Sequence, residues 1–211
     1  ESFARRHAPT LSRVAGYLLS LDQDGDGILE SVFHGNRMEE PRTRNWWDNF
    51  AFGHKDAYFN LIASRALRAV LPLLERFADQ PSLTHRIAVF LERFPRAFDS
   101  AFFRPDSHCH AGWVSRDGRV HDYAFTFVSA MAIADGLVEA DRARSILRGL
   151  LQRMEALGYD GRYGVPGNLE PVAAEDTIDW DVLGRWGVYE NGGLCGQTAT
   201  HLLQALYRVG L

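Results

Sequence analysis

Two acidic residues in this chain have neighbours that would make their carboxyl groups chemically useful. Asn45-Trp46-Trp47-Asp48-Asn49-Phe50 sets two tryptophans beside one aspartate. Exposing that much aromatic surface is unfavourable unless a partner covers it, and the apolar face of a sugar ring is such a partner, leaving its hydroxyls for Asn and Asp. A carboxyl flanked by indole is also partly desolvated, which raises its pKa and suits it to protonate a glycosidic oxygen. Tyr189-Glu190-Asn191-Gly192-Gly193 offers a second acid, with paired glycines that let backbone approach a ligand and a glutamate able to act as base on water. Glycoside hydrolysis needs two such carboxyls flanking the bond. The pattern nominates Asp48 and Glu190 as the catalytic pair, with Asn45, Trp46, Trp47, Trp113, Tyr189 and Asn191 around a carbohydrate substrate. A structural reading stands beside it: both tryptophans as core, Asp48 as a helix cap, and Glu190 as a favourable charge ahead of the last helix. Glu170, Asp176, Asp179 and Asp181 are competing acids, and Trp180 and Trp186 extend the aromatic supply.

Asp22-Gln23-Asp24-Gly25-Asp26-Gly27-Ile28-Leu29-Glu30 begins like a calcium loop: Asp22, Asp24, Asp26 and the Ile28 carbonyl fall at ligand positions, and Gly27 permits the sharp turn. The position of the bidentate glutamate holds Phe33, so a complete EF-hand is excluded. What remains is a partial calcium site, assisted by Glu30 through water, or a plain acidic turn. No other cofactor is expected. His108-Cys109-His110 and His121-Asp122 have metal-ligand types without metal-ligand spacing, and Cys109 and Cys195 read as free thiols.

These residues must be positioned by helices, since apolar spacing of three and four recurs while strict alternation does not. The spacing predicts helices over about 10–21, 54–78, from 82 to a stop or kink at Pro95, and over 122–138, 140–157 and 196–209. The helix over 122–138 is apolar nearly all round, and the next sets four arginines against an apolar stripe, as inner and outer layers of helical hairpins require. The Asp117-Gly118 turn suggests a hairpin that projects Trp113. The fold class is mainly α, a helical-hairpin array over 1–211 as one domain. A net charge of −4 and a pI near 6.1 give no basic footprint for nucleic acid, and no apolar run is long enough for a bilayer. A soluble protein, cytoplasmic or exported, is expected.

The segments Asp24 to Gly27, Asn45 to Phe50 followed by Gly53 and Lys55-Asp56-Ala57-Tyr58, Gly158 to Pro171, and Tyr189 to Gly193 before a helix resemble the six-hairpin glycosidases. These (α/α)6-toroid hydrolases include trehalases and processing α-glucosidases. The resemblance implies Asp48 as general acid, Glu190 as general base and inversion at the anomeric centre. A full toroid needs about twelve helices, so the chain is expected to be a portion of a larger catalytic domain. Two other functions fit a helical array: a sugar epimerase or isomerase using His110 and His121, and a non-catalytic carbohydrate-binding domain.

Overall fold

Helical periodicity carries through into six α-helices in the computed structural model, which describes residues 2–36, 45–177 and 181–211. They are α1 (Ser2–Leu19), α2 (Ala57–Phe77), α3 (Pro81–Phe102), α4 (Thr126–Ala134), α5 (Ala140–Ala156) and α6 (Gly196–Val209). Seven two-residue strands link the loops: β1 (Lys55–Asp56), β2 (Phe103–Arg104), β3 (Cys109–His110), β4 (Trp113–Val114), β5 (Val120–His121), β6 (Val165–Pro166) and β7 (Leu194–Cys195). All pair antiparallel, β1-β4-β5 as one sheet, β2 with β3, and β6 with β7.

Each helix start has a local cause. Asp56 accepts the Phe59 N–H at 2.9 Å and so caps α2, while Glu139 accepts from Asp141 and Arg142 and caps α5. Pro81 opens α3, where its missing N–H would have had no partner in any case. Gly210, at φ 72°, closes α6 in the left-handed conformation.

Helix α4 is the wall between two apolar clusters. Its Phe127, Val128, Met131 and Ala132 join a core formed with α1, α2 and α3, while its Ala130 and Ile133 join a second with α5 and α6. Every residue from Thr126 to Ile133 is buried, in keeping with the all-round apolar sequence. In α3, Phe90, Phe94, Phe98 and Phe102 stack at successive four-residue steps, with ring centroids 5.5, 5.5 and 4.9 Å apart.

That ladder corrects one expectation. Helix α3 does not stop at Pro95 but continues to Phe102, because four phenylalanines on one face outweigh the lost backbone hydrogen bond. Helix α1 likewise contains Pro9 rather than starting after it, with Ala8, Ser12 and Ala15 buried along one face. Helix α2 begins at Ala57, since Lys55 and Asp56 are spent on pairing with Val114 and Trp113. Helix α4 is shorter than predicted because the backbone before it bridges Phe125 to Asn168. The β4–β5 hairpin forms around Gly118 as expected, but Trp113 points into the core. Among the described residues no helix is long and apolar enough to cross a membrane.

The Phe98 side chain, 1 % exposed, lies at the centre of the ladder. Phe98→Ala is expected to lower unfolding free energy by about 3–5 kcal/mol, measured by denaturant melts; a loss below about 1 kcal/mol would show that the ladder is not what carries α3 past Pro95.

Candidate active site

The segment 46–50 alternates in its environment. Trp46 is 63 % exposed, Trp47 fully buried, Asp48 exposed, and Asn49 and Phe50 buried. Asn45 sets this up: its Oδ1 accepts the Trp47 N–H at 2.8 Å and its Nδ2 donates to Asp56 Oδ2 at 2.7 Å. The loop is thereby tied to the residue that caps α2. Burial pushes the Asp56 carboxyl up to about 6, against hydrogen bonds from Phe59, Asn45 and Tyr58 that pull it down. Beyond Asp48, Ala51 N–H donates to the Asp176 carbonyl and Phe50 bridges to Thr177.

The second acid arrives from a tight coil. Tyr189 has φ 49° and Gly192 φ 77°, and a Cβ on Gly193 would lie 1.9 Å from the Tyr189 carbonyl oxygen, so only glycine fits there. Asn191, fully buried, donates from Nδ2 to the Gly184 carbonyl, while its Oδ1 accepts from Val172 N–H and Asn168 Nδ2. Asn168 Oδ1 in turn accepts the Gly192 N–H at 2.8 Å. These amides fold the coil so that Glu190 meets the first loop.

Hydrogen bonds at both acids help to join the two loops. Asn49 N–H donates to Glu190 Oε2 at 3.0 Å, and the Tyr189 hydroxyl donates to Asp48 Oδ1 at 3.2 Å. Glu190 is 6 % exposed, and burial pushes its carboxyl up to about 8; the Asn49 N–H pulls it down and the Asp48 charge adds to the rise. The Tyr189 phenol is pushed up to about 12, first by the charge of Glu190 and then by burial. Asp48, Tyr189 and Glu190 therefore form one cluster, with the exposed Trp46 adjacent in the chain.

Several residues expected at the sugar lie elsewhere. Trp47 is stacked on Phe127 at 3.8 Å and packed against Gly167, where an added Cβ would approach its ring to 2.8 Å; it has no face to offer a ligand. Trp113, also fully buried, stacks on His121 at 4.3 Å and donates its indole N–H to the Gly35 carbonyl. Asn191 is an internal brace, and both polar ends of the Asn45 amide are engaged. Asp48 is not desolvated by two indoles, since one ring is in the core and the carboxylate faces out. Trp180 and Asp179 lie outside the described residues. Of the competing acids, Glu170 pairs with Arg153 at 2.6 Å, and Asp176 accepts from His121 Nδ1 at 2.7 Å and Tyr123 OH at 2.6 Å.

The fully buried His110 shares a hydrogen bond with Ser129, and the buried His121 lies between Asp176 and Ser115, so neither ring reaches a substrate for proton transfer. Cys109 and Cys195 are free, and burial pushes the Cys109 thiol up to about 12. In the acidic loop, ligand atoms of Asp22, Asp24 and Asp26 lie within 4.8 Å of one another, but Glu30 is not part of that set and Ile28 is buried in the core. Lys55 Nζ sits on the Asp24 and Asp26 carboxylates. Two of the three carboxylates are thus engaged by a cation of the protein itself.

Beside this geometry stands a likeness to solved structures. In fold, the chain resembles part of a glycoside hydrolase. One such neighbour is the crystal structure of a GH78 family rhamnosidase from Bacillus sp. GL1, with a TM-score of 0.52 and 14% identity; the match covers 100% of this chain and 24% of that one. No family model matches the chain, and no curated protein matches it.

The contacts that join the site were not legible beforehand, because a backbone N–H to a carboxylate and a phenol to an aspartate have no spacing signature. Asp56 was open to detection, since an acid directly before a helical run is a capping signal. The two tryptophans now separate experimentally. Trp47→Ala is expected to cost about 3–5 kcal/mol of stability, whereas Trp46→Ala should stay within about 0.5 kcal/mol and lower only oligosaccharide affinity. Equal effects of both on thermal melts would contradict the burial difference.

Proposed function

We propose that this chain carries the catalytic carboxylates of an inverting glycoside hydrolase, with Glu190 as the proton donor and Asp48 as the base that activates water. The observation that carries the reading is the pairing of one buried and one exposed carboxyl at the junction of two distant loops. Burial favours the neutral form, so Glu190, pushed up to about 8, holds a proton near neutral pH, and the nearby Asp48 charge reinforces this. Asp48 is exposed and accepts a hydrogen bond from the Tyr189 hydroxyl. A buried carboxyl that holds its proton beside an exposed carboxyl is the division that acid and base roles require. The order is the reverse of the one the sequence suggested. Trp46 and Tyr189, both exposed, are the surfaces on which a sugar would stack.

The fold likeness to a rhamnosidase supports a glycoside as substrate, and the match to 24% of that chain supports this chain's being a portion of a larger catalytic domain; the motif resemblance makes that domain an (α/α)6 toroid. Lewis-acid help is not required by a mechanism of two carboxyls.

Aryl glycosides, including a rhamnoside and a glucoside, test the reading. Asp48→Asn and Glu190→Gln should each lower kcat about 10²- to 10⁴-fold, and the first product anomer seen by NMR should be inverted. The rate of the wild type, read as kcat/KM, should fall as pH rises through about 8, where Glu190 loses its proton, and Glu190→Gln should abolish that limb. Stability follows the same sign. Folding raises the Glu190 pKa, so its contribution is complete in acid and is lost as pH climbs through about 8. Variants that retain wild-type rates would overturn the assignment.

A further inference from the structure

The acidic loop has a cation of its own. Lys55 Nζ lies 2.7 Å from Asp24 Oδ2, hydrogen-bonds Asp26 Oδ2 and stands 3.7 Å from Glu30 Oε1. The other oxygens of these acids are used within the loop. Asp24 Oδ1 accepts from Asp26 N–H, Asp26 Oδ1 from Ile28 N–H, and Glu30 Oε2 from Gln23 N–H; Asp22 Oδ1 accepts from Gly27 N–H. Each of the three acids thus turns one oxygen to the backbone and the other toward the ammonium. An ammonium has three donors and suits three acceptors, whereas calcium takes six to eight oxygens at about 2.3–2.6 Å. A calcium ion on Asp22, Asp24 and Asp26 would compete with Lys55 for two of its three carboxylates.

The lysine is held from both sides. Its backbone bridges to Glu30 and pairs with Val114, and its side chain is only 13% exposed. Burial opposes the charge, yet the hydrogen bonds that the ammonium donates to Asp24 and Asp26 raise it above its ordinary value, and Lys55 holds the Asp24 carboxyl below its own. The next residue, Asp56, caps α2 and holds Asn45, so the loop, the helix start and the segment leading to Asp48 share one anchor.

We propose that Lys55 is the resident cation of the acidic loop, replacing the divalent ion that the Asp-rich sequence suggests and latching the loop to β1. Wild-type protein then needs no calcium, and calcium gains a place only when the ammonium is removed. The latch is independent of any hydrolase activity. Melting curves and calorimetric titration with calcium chloride test it, against wild type and Lys55→Met. Wild type should keep the same Tm in millimolar calcium and in chelator, with no titratable binding. Lys55→Met should lose at least about 5 °C, recover much of it with calcium and bind the ion. A wild type whose Tm rises with calcium and drops with chelator contradicts the proposal, and so does a Lys55→Met protein that melts like wild type or ignores calcium. If Lys55→Met does not fold without calcium, folding in its presence supports the latch; if it folds in neither, the wild-type titration decides alone.

Discussion

The burial of the Trp47 ring is the constraint from which the site follows. The indole lies flat against Phe127 of α4, with Phe50 stacked at 6.4 Å and Gly167 close behind. A fully buried aromatic side chain of this kind contributes on the order of 3 kcal/mol, enough to fix the orientation of a short loop. With Trp47 inward, its neighbours Trp46 and Asp48 face outward and the Asn49 N–H is left beside Glu190. Gly167 must lack a side chain for the ring to fit, and the same segment carries Asn168, which braces the Glu190 coil. Core packing and site assembly are therefore one event.

Electrostatics then divides the labour. Placing Glu190 in the interior costs it solvation, and a single backbone N–H offsets only part of that. Burial favours the neutral form of Glu190, while Asp48 stays at the surface in contact with Tyr189. A contrast sits directly behind the loop. Asp176 is also buried, but a histidine and a tyrosine hydrogen-bond its carboxylate, and it is held below its ordinary range despite burial. The same side-chain chemistry serves as proton holder in one place and as a fixed anionic brace in the other, according to the donors that surround it.

Much of the helical framework was readable because burial imposes a period. The α4 sequence announces a fully enclosed helix, the α5 stripe a surface one, and α6 begins and ends as its sequence predicts. Proline ended neither helix at Pro9 or Pro95, since the penalty of one missing hydrogen bond is local, and in α3 the gain from the aromatic ladder is spread along a whole face. Residue type misled at Trp47, Trp113 and Asn191, where side chains suited to binding sugar are equally suited to filling or bracing a core. The charges of the acidic loop were visible in the sequence, but Lys55 was not, because its partners lie about thirty residues away. Long-range polar contacts of this kind depend on the fold as a whole.

Proton occupancy at Glu190 is the point on which the catalytic reading turns, and carboxyl-detected NMR of the labelled protein measures it residue by residue. A Glu190 midpoint near 8 that moves down when Asp48 is changed to Asn is the predicted result, because removing the like charge relieves part of the upward push. A midpoint in the ordinary glutamate range, unmoved by Asp48→Asn, would contradict both the pairing of the two acids and the assignment of Glu190 as the one that holds the proton.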